Sequence, residues 1–449
     1  MDTNQIPLAG LPGHRNAVLH AAGADATQTL LIHGGRDPAR HAGLVNTPVY
    51  RGSTIIANSM REWESRKQPD NPMASYGRFG TPTTRSFEDL VTALENGHRS
   101  IVFPSGLAAC TNSLLAFVEQ GDHVLITDNV YGPTRAFASG VLARLGIAVT
   151  FFDPAIGAGL RELLRPNTRA VFLESPGSWT FEVQDVPALC AAAHAVGATV
   201  IMDNTWATPL FFKPLEHGVD VSVHAATKYL VGHSDALLGV ATASARAWPA
   251  LAAGAHHFGQ IAGPDDLYLA TRGLRTLDVR MARHHENGVL LAEALREHDL
   301  VERVLHPALP DAPGHTLWKR DFAGASGLFG VVLRTAERPV IEALVDRLRL
   351  FGIGLSWGGY ESLILPGEPR IARSVRPCAW DGRLLRIHAG LEAAHDLIAD
   401  LRQAFGHAAR LWSDSRGAAS TEAAASSTST ASLSPSASSI HRSPERISA

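Results

Sequence analysis

With 449 residues, 45% of them hydrophobic and 18% charged, the chain can bury two or three sizeable cores and has the make-up of an ordinary globular protein. A formal net charge of −3 and a pI near 6.7 argue against nucleic acid as the main partner, because phosphate binding needs a basic face. The three cysteines, Cys110, Cys190 and Cys378, cannot make a disulfide framework; each stands among apolar neighbours and reads as a buried thiol in a reducing compartment.

The first residues show no basic stretch followed by an apolar core, and no run of about 18 apolar residues occurs, so a cytoplasmic protein away from the membrane is expected. Residues 1–25 carry no periodicity and read as a loose leader. From 27 to 60, Gly34, Gly35, Pro38, Pro48 and Gly52 break any long element and leave an arm. MASYGRFGTPTTRSFEDLVTALEN, at 73–96, opens with a Tyr76-Gly77-Arg78 turn. It closes as an amphipathic helix, started at Thr81-Pro82 or Ser86, with Phe87, Leu90, Val91 and Leu94 on one face. Between 100 and 223, strands are expected at 101–103, 124–127, 149–152, 170–173, 200–202 and 221–223. Helices are expected at 107–118, 134–145, 160–164 and 186–196. That alternation predicts right-handed crossovers and an α/β fold with a mostly parallel sheet covered on both faces. After Pro264 a long helix over 268–298 leads into a smaller α+β unit: strand 328–333, helix 340–351, Gly-rich loop 352–359, strand 384–388 and helix 391–405. Beyond Trp412 the chain is mainly Ser, Thr and Ala; it cannot bury enough apolar surface to offset its ordering entropy and is expected to be disordered.

The chemistry concentrates in VSVHAATKYLVGHSDALLG, at 221–239. An apolar run delivers Thr227-Lys228 to a turn and a second run, 237–241, leaves it. A desolvated lysine can shed its proton near neutral pH and become a nucleophile toward a carbonyl cofactor; exposed, it is only a loop lysine. In ATVIMDNTWATP, at 198–209, the apolar residues stop at Asp203. Ligands of open α/β sheets bind beyond the carboxyl ends of the strands, so Asp203 faces a candidate site or caps a helix. A carboxylate and a lysine at the ends of successive strands suit pyridoxal phosphate: the acid keeps the ring nitrogen protonated while the amine holds the aldehyde.

PSGLAAC, at 104–110, places the free backbone N–H groups of Gly106 and Leu107 at a helix start, a geometry that binds phosphate and equally a plain Ser-capped helix. Neither GxxxxGK[ST] nor GxGxxG is present. Tyr131, after ITDN, could stack on a planar ring or pack its loop. Arg78 offers a two-pronged phosphate contact or a solvated turn. Arg386, within the apolar LLRIHAG, suits a carboxylate clamp or an edge strand reaching solvent. His233-Ser234-Asp235 reads as a loop, since triad members come from separate segments. His256-His257 and His284-His285 lack metal-site spacing and read as solvated.

The run from about 46 to 405 resembles the Cys/Met-metabolism enzymes that use pyridoxal phosphate, above all in TKYLVGHSDALLG, ESPGSWTFEVQDVP, RDFAGASGLF and SWGGYESLILP. The resemblance implies the PLP-dependent transferase-like architecture, fold type I as in aspartate aminotransferase. It implies a leader and inter-subunit arm over 1–72, a PLP-binding large domain over 73–266, an α+β domain over 267–410, and the tail over 411–449. It further implies that Lys228 carries the cofactor and moves the Cα proton, that Asp203 pairs with the pyridinium, and that Tyr131 stacks on the ring and shares in proton transfer. Gly106 and Leu107 amides and the Thr227 hydroxyl would bind phosphate. Tyr76 and Arg78 would reach the phosphate in a neighbouring subunit, and Arg386, helped by Ser356 and Trp357 and with Tyr76 nearby, would take the substrate carboxylate. A metal-free cytoplasmic homotetramer, a dimer of dimers with shared active sites, is implied, with an amino-acid thioether as substrate.

Ser178 stands where relatives doing γ-chemistry usually show Asn, which favours the β-eliminating branch: L-cystathionine to L-homocysteine, pyruvate and ammonia, in methionine biosynthesis by transsulfuration. The alternatives are a γ-synthase, a γ-lyase or a broad cysteine-S-conjugate β-lyase on the same scaffold, and, from another class, a cofactor-binding regulator without chemistry. Ala225 stands where many relatives carry a phosphate-binding Ser, which removes one hydrogen bond.

Overall fold

In a computed structural model, residues 26–68, 74–367 and 371–429 are described; the expected leader at 1–25 and the end of the tail, 430–449, lie outside them. The larger sheet comprises β1 (Arg99–Phe103), β2 (His123–Thr127), β3 (Ala148–Phe152), β4 (Thr168–Glu174), β5 (Thr199–Asp203), β6 (Val221–His224) and β7 (Gly239–Ala243), in the order β1-β7-β6-β5-β4-β2-β3. Only the pairings made by β7 are antiparallel. The carboxyl ends of β1, β2, β4, β5 and β6 therefore share one edge, where the chain turns into loops and helix starts. Both faces are covered. Val124, Ile126, Phe172, Ile201 and Val223 pack with Leu114 and Leu251 from helices Gly106–Leu115 and Trp248–Phe258. Leu125, Val171, Leu173, Val200 and Met202 pack with Leu189 from helix Val186–His194. Burial on both sides explains why these strands read as continuous apolar runs.

The smaller sheet holds β8 (Val301–Leu305), β9 (Leu328–Leu333), β10 (Gly352–Ile353), β11 (Leu363–Pro366) and β12 (Leu384–His388), ordered β10-β11-β12-β9-β8. Phe329, Val331, Leu333, Leu385 and Ile387 form one face and pack on helices Leu277–Arg296, Arg338–Val345 and Ala394–Ser429. Leu328, Val332 and Leu384, on the other face, share a core with Val171 and Met202 of the larger sheet. Alternation along β12 puts Arg386 and His388 on this second face, toward the larger sheet.

Several elements differ from the sequence expectation. β8, β10 and β11 were not foreseen: exposed Glu302 and Arg303 interrupt the alternation of VERVL, β10 has two residues, and β11 ends in Pro366. The long helix over 268–298 is two, Pro264–Leu274 and Leu277–Arg296. At the break a Cβ on Gly273 would lie 2.2 Å from the Val231 carbonyl oxygen, and Arg280 donates to the Gly273 carbonyl at 2.9 Å. The helix over 134–145 is an α-helical piece, Gly132–Phe137, followed by a π-helical turn, Ala138–Leu142. The last helix continues to Ser429, past the point where composition predicts disorder; that reading measured burial, whereas alanine is the strongest helix former and favours helix without burial. His284, read as solvated, is buried, and Cys378 is only partly so.

Candidate active site

Fourteen or so residues between β6 and β7 form the turn that carries Lys228. Its stem is pinned through Thr227, whose N–H and Oγ1 both donate to the Leu238 carbonyl, at 3.0 and 3.1 Å, while Leu238 N–H donates back to Oγ1 at 3.0 Å. The Thr227 hydroxyl thus works within its own loop. Lys228 Nζ donates to Ser356 Oγ at 2.7 Å and lies 5.3 Å from the Trp357 ring centre. Burial, with the Arg386 charge nearby, lowers its pKa to about 8 against the partial opposition of Asp203. An ammonium stripped of water is disfavoured, and the free amine becomes accessible near neutral pH.

Asp203 ends β5. Its Oδ1 accepts from Thr205 N–H at 2.9 Å and from Thr205 Oγ1 at 2.5 Å, and Thr205 Oγ1 in turn accepts the Ala225 N–H at 2.9 Å. One carboxylate oxygen is thereby fixed from the Lys228 turn, while Oδ2 has the buried Cys110 thiol at 3.7 Å. Glu174 ends β4 directly beside Asp203 in register. It accepts the Tyr131 N–H at 2.6 Å, and burial, reinforced by Asp203, pushes its pKa well above the ordinary carboxyl value. The sequence reading missed Glu174, although the strand-end rule that picked Asp203 applies equally to it.

Tyr131 follows β2 with 45% of its surface exposed. Burial of the phenol, then Cys110, Glu174 and Asp203, raise its pKa while Arg386 opposes them, which places Tyr131 on the same edge as those groups. Gly106 begins the helix Gly106–Leu115 behind its Ser105 cap. A Cβ there would lie 2.3 Å from the Ala225 Cβ, so only glycine lets this helix start, with its unpaired first N–H groups, reach the Lys228 turn. Arg386 Nη2 donates to the carbonyls of Leu355 and Ser356 at 2.5 and 3.3 Å, and its guanidinium lies 5.1 Å from the Trp179 ring. Trp179 has a left-handed φ of 67°, strained for a bulky side chain and a hint of function that the sequence did not give.

Lys228, Asp203, Tyr131, Gly106, Leu107, Arg386, Ser356 and Trp357 are therefore gathered around one edge. Tyr76 and Arg78 are placed differently: Arg78 donates to the His256 carbonyl at 3.0 Å and sits over Phe79, and Tyr76 is 44% exposed. Among the described residues neither is hydrogen-bonded to Lys228, Asp203 or Arg386.

A model of the Cys/Met metabolism PLP-dependent enzymes matches residues 28–406. The chain belongs to this family. It is 47% identical over 398 residues to a putative cystathionine beta-lyase of Rhizobium johnstonii, covering 88% of this chain and 98% of that one. It is 46% identical over 387 residues to the cystathionine beta-lyase MetC of Escherichia coli, covering 84% and 97%. Among solved structures, that of metB from Corynebacterium glutamicum superposes with a TM-score of 0.79 at 28% identity, covering 86% of this chain and 98% of that one. The expected fold type I architecture is thus the one present. The residues suit the family's pyridoxal 5′-phosphate: an amine of lowered pKa, a carboxylate tethered through one oxygen, and a helix N-terminus that Gly106 lets lie against the lysine's turn.

Proposed function

We infer that this enzyme is a carbon–sulfur lyase that cleaves L-cystathionine by β-elimination, giving L-homocysteine, pyruvate and ammonia. The observation that carries the reading is the Lys228 amine, its pKa lowered to about 8 by burial, held by Ser356 on the same loop whose carbonyls hold Arg386. Base and carboxylate clamp thereby meet in one place. The Escherichia coli cystathionine beta-lyase MetC and the Rhizobium protein named a putative one, both aligned over nearly their whole length, support it.

Pyridoxal 5′-phosphate, when bound, supplies the electron sink for the pair released as the Cα–H bond breaks. Lys228 would hold its aldehyde carbon, Asp203 the proton of its ring nitrogen, Tyr131 the ring face, and the Gly106 and Leu107 amides its phosphate. Arg386 binds the substrate α-carboxylate with its guanidinium fork, helped by Ser356 and Trp357. Lys228 would take the Cα proton at Nζ, for which a pKa near the working pH is the best compromise. Tyr131, kept protonated by its raised pKa, or Lys228 returns a proton to the departing thiolate sulfur.

The reading extends to a cytoplasmic homotetramer, a dimer of dimers in which Tyr76 and Arg78 complete a neighbour's site. That neither is hydrogen-bonded to this chain's own cluster among the described residues supports it, as do the exposed apolar residues of the arm, Val45, Ile56 and Met60 at 61, 81 and 72% exposure. The three free cysteines suit a reducing compartment. Among the described residues no helix is long and apolar enough to cross a membrane. The test is the purified protein with L-cystathionine: pyruvate with homocysteine is expected, and 2-oxobutyrate with cysteine would overturn the β-lyase assignment. Sedimentation of the same sample reads the oligomer.

A further inference from the structure

His388 is named by neither the catalytic reading nor the sequence motifs, yet it is buried beside Arg386 on β12 and bonded to the loop that carries Ser356. It shares the large-sheet face of β12 with Arg386 and is 1% exposed. Its Nε2 lies 3.1 Å from the backbone nitrogen of Gly358, and its Nδ1 lies 3.1 Å from the carbonyl oxygen of Glu361. A backbone N–H only donates and a carbonyl only accepts, so Nε2 must be bare and Nδ1 must carry the proton. The imidazole is therefore neutral, in one tautomer, and fixed at both nitrogens. Its burial, then His284, Arg386 and Lys228 around it, oppose a second proton, and the Tyr229 ring lies 5.9 Å away.

What His388 holds is the loop at 355–359. Gly358 has φ +86°, and a Cβ on it would lie 2.9 Å from both the Lys228 carbonyl carbon and the Tyr229 nitrogen, so this loop lies backbone to backbone on the Lys228 turn. Three and two residues earlier its carbonyls receive Arg386, and the Ser356 hydroxyl receives Lys228 Nζ. Leu355 is 80% exposed and Ser356, also exposed, is held through its hydroxyl by Lys228; Trp357 leans on Tyr229 at 5.4 Å. Where the loop meets the lysine's turn, at Gly358, its buried polar contact is the Gly358 N–H on His388.

We propose that His388 is a positioning residue of the active site: by accepting the Gly358 N–H it holds loop 355–359 on the Lys228 turn, and so sets Ser356 against the lysine amine and the loop carbonyls against Arg386. The proposal rests on the reading of Lys228 and Arg386 given above.

Two substitutions separate this role from space filling. His388→Gln can return an amide oxygen to the place of Nε2; His388→Asn is too short and restores only the donor to Glu361. In the full-length holoenzyme without substrate, hydrogen exchange read by mass spectrometry should show the Gly358 amide protected in the parent. The peptide spanning the loop should exchange about tenfold faster in H388N and near the parental rate in H388Q. With L-cystathionine, H388N should raise KM about tenfold with a smaller fall in kcat, and H388Q should recover most of both. An unprotected Gly358 amide in the parent, parental exchange in H388N, or equal defects in the two variants would overturn the proposal. The exchange result is independent of the substrate: normal loop behaviour with no pyruvate formed would count against the lyase reading alone, and pyruvate formed with an indifferent loop would count against His388 alone.

Discussion

A buried lysine should make the fold less stable than it would be without the charge, and Lys228→Met measures by how much. The difference between an ordinary lysine at 10.5 and about 8 here corresponds to about 3 kcal/mol at about 1.4 kcal/mol per pH unit. Solvent access to the amine, the lost Ser356 hydrogen bond and the lost Trp357 contact offset about half, leaving roughly 1–2 kcal/mol. The sign follows from linkage: the folded pKa lies below the unfolded one, so between about 8 and 10.5 the unfolded chain binds more protons and parental stability climbs with pH. Below about pH 8 both states are charged and the penalty is full; above 10.5 both are neutral and it is gone. Cofactor-free K228M should therefore melt a few degrees above the cofactor-free parent at pH 7, and the advantage should shrink steadily toward about pH 10. Thermal unfolding of both proteins across that range decides it. A mutant that melts lower than the parent at pH 7, or an advantage that does not change with pH, would refute the claim that the amine is desolvated.

Arg386→Lys keeps the charge but gives up the planar fork, so KM for L-cystathionine should rise about 10- to 100-fold in steady-state assays with a smaller change in kcat. Trp179→Ala removes the ring beneath the guanidinium; a cation–π contact of about 1 kcal/mol predicts a KM about fivefold higher. Trp179→Gly should show the same KM yet unfold at a higher temperature than the alanine variant, because glycine relieves the left-handed φ of 67°. Glu174→Gln keeps an oxygen to accept the Tyr131 N–H and should keep kcat within about threefold, whereas Glu174→Ala releases that N–H and should lower kcat about tenfold, each read as pyruvate formed.

What could be seen in the sequence was whatever depends on strand order and residue type. Apolar runs that stop at Asp203 and at the Thr227-Lys228 turn are enough to place both groups on a carboxyl edge, because parallel strands joined by right-handed crossovers leave no other choice. Glu174 needed no further information, only the same rule applied to β4, whose final residue is charged as that of β5 is. Other features depend on contacts between distant segments. That Thr227 Oγ1 is occupied by Leu238 follows from the antiparallel return of β7, and a hydroxyl near a phosphate-binding turn reads identically whether or not it is taken. His388 sits in a strand that looked merely apolar apart from Arg386; its partner is a glycine nitrogen, and no side-chain type announces a backbone N–H in want of an acceptor. Gly358 is one of several glycines in its loop, and only the contact with Lys228 distinguishes it. The parts of the site that perform chemistry announce themselves by residue type, while the parts that hold them in place are fixed by backbone geometry. A loop closed by backbone contacts is thus where a sequence reading of this family will leave most undetected, and where substitutions with no obvious chemical meaning should cost the most activity.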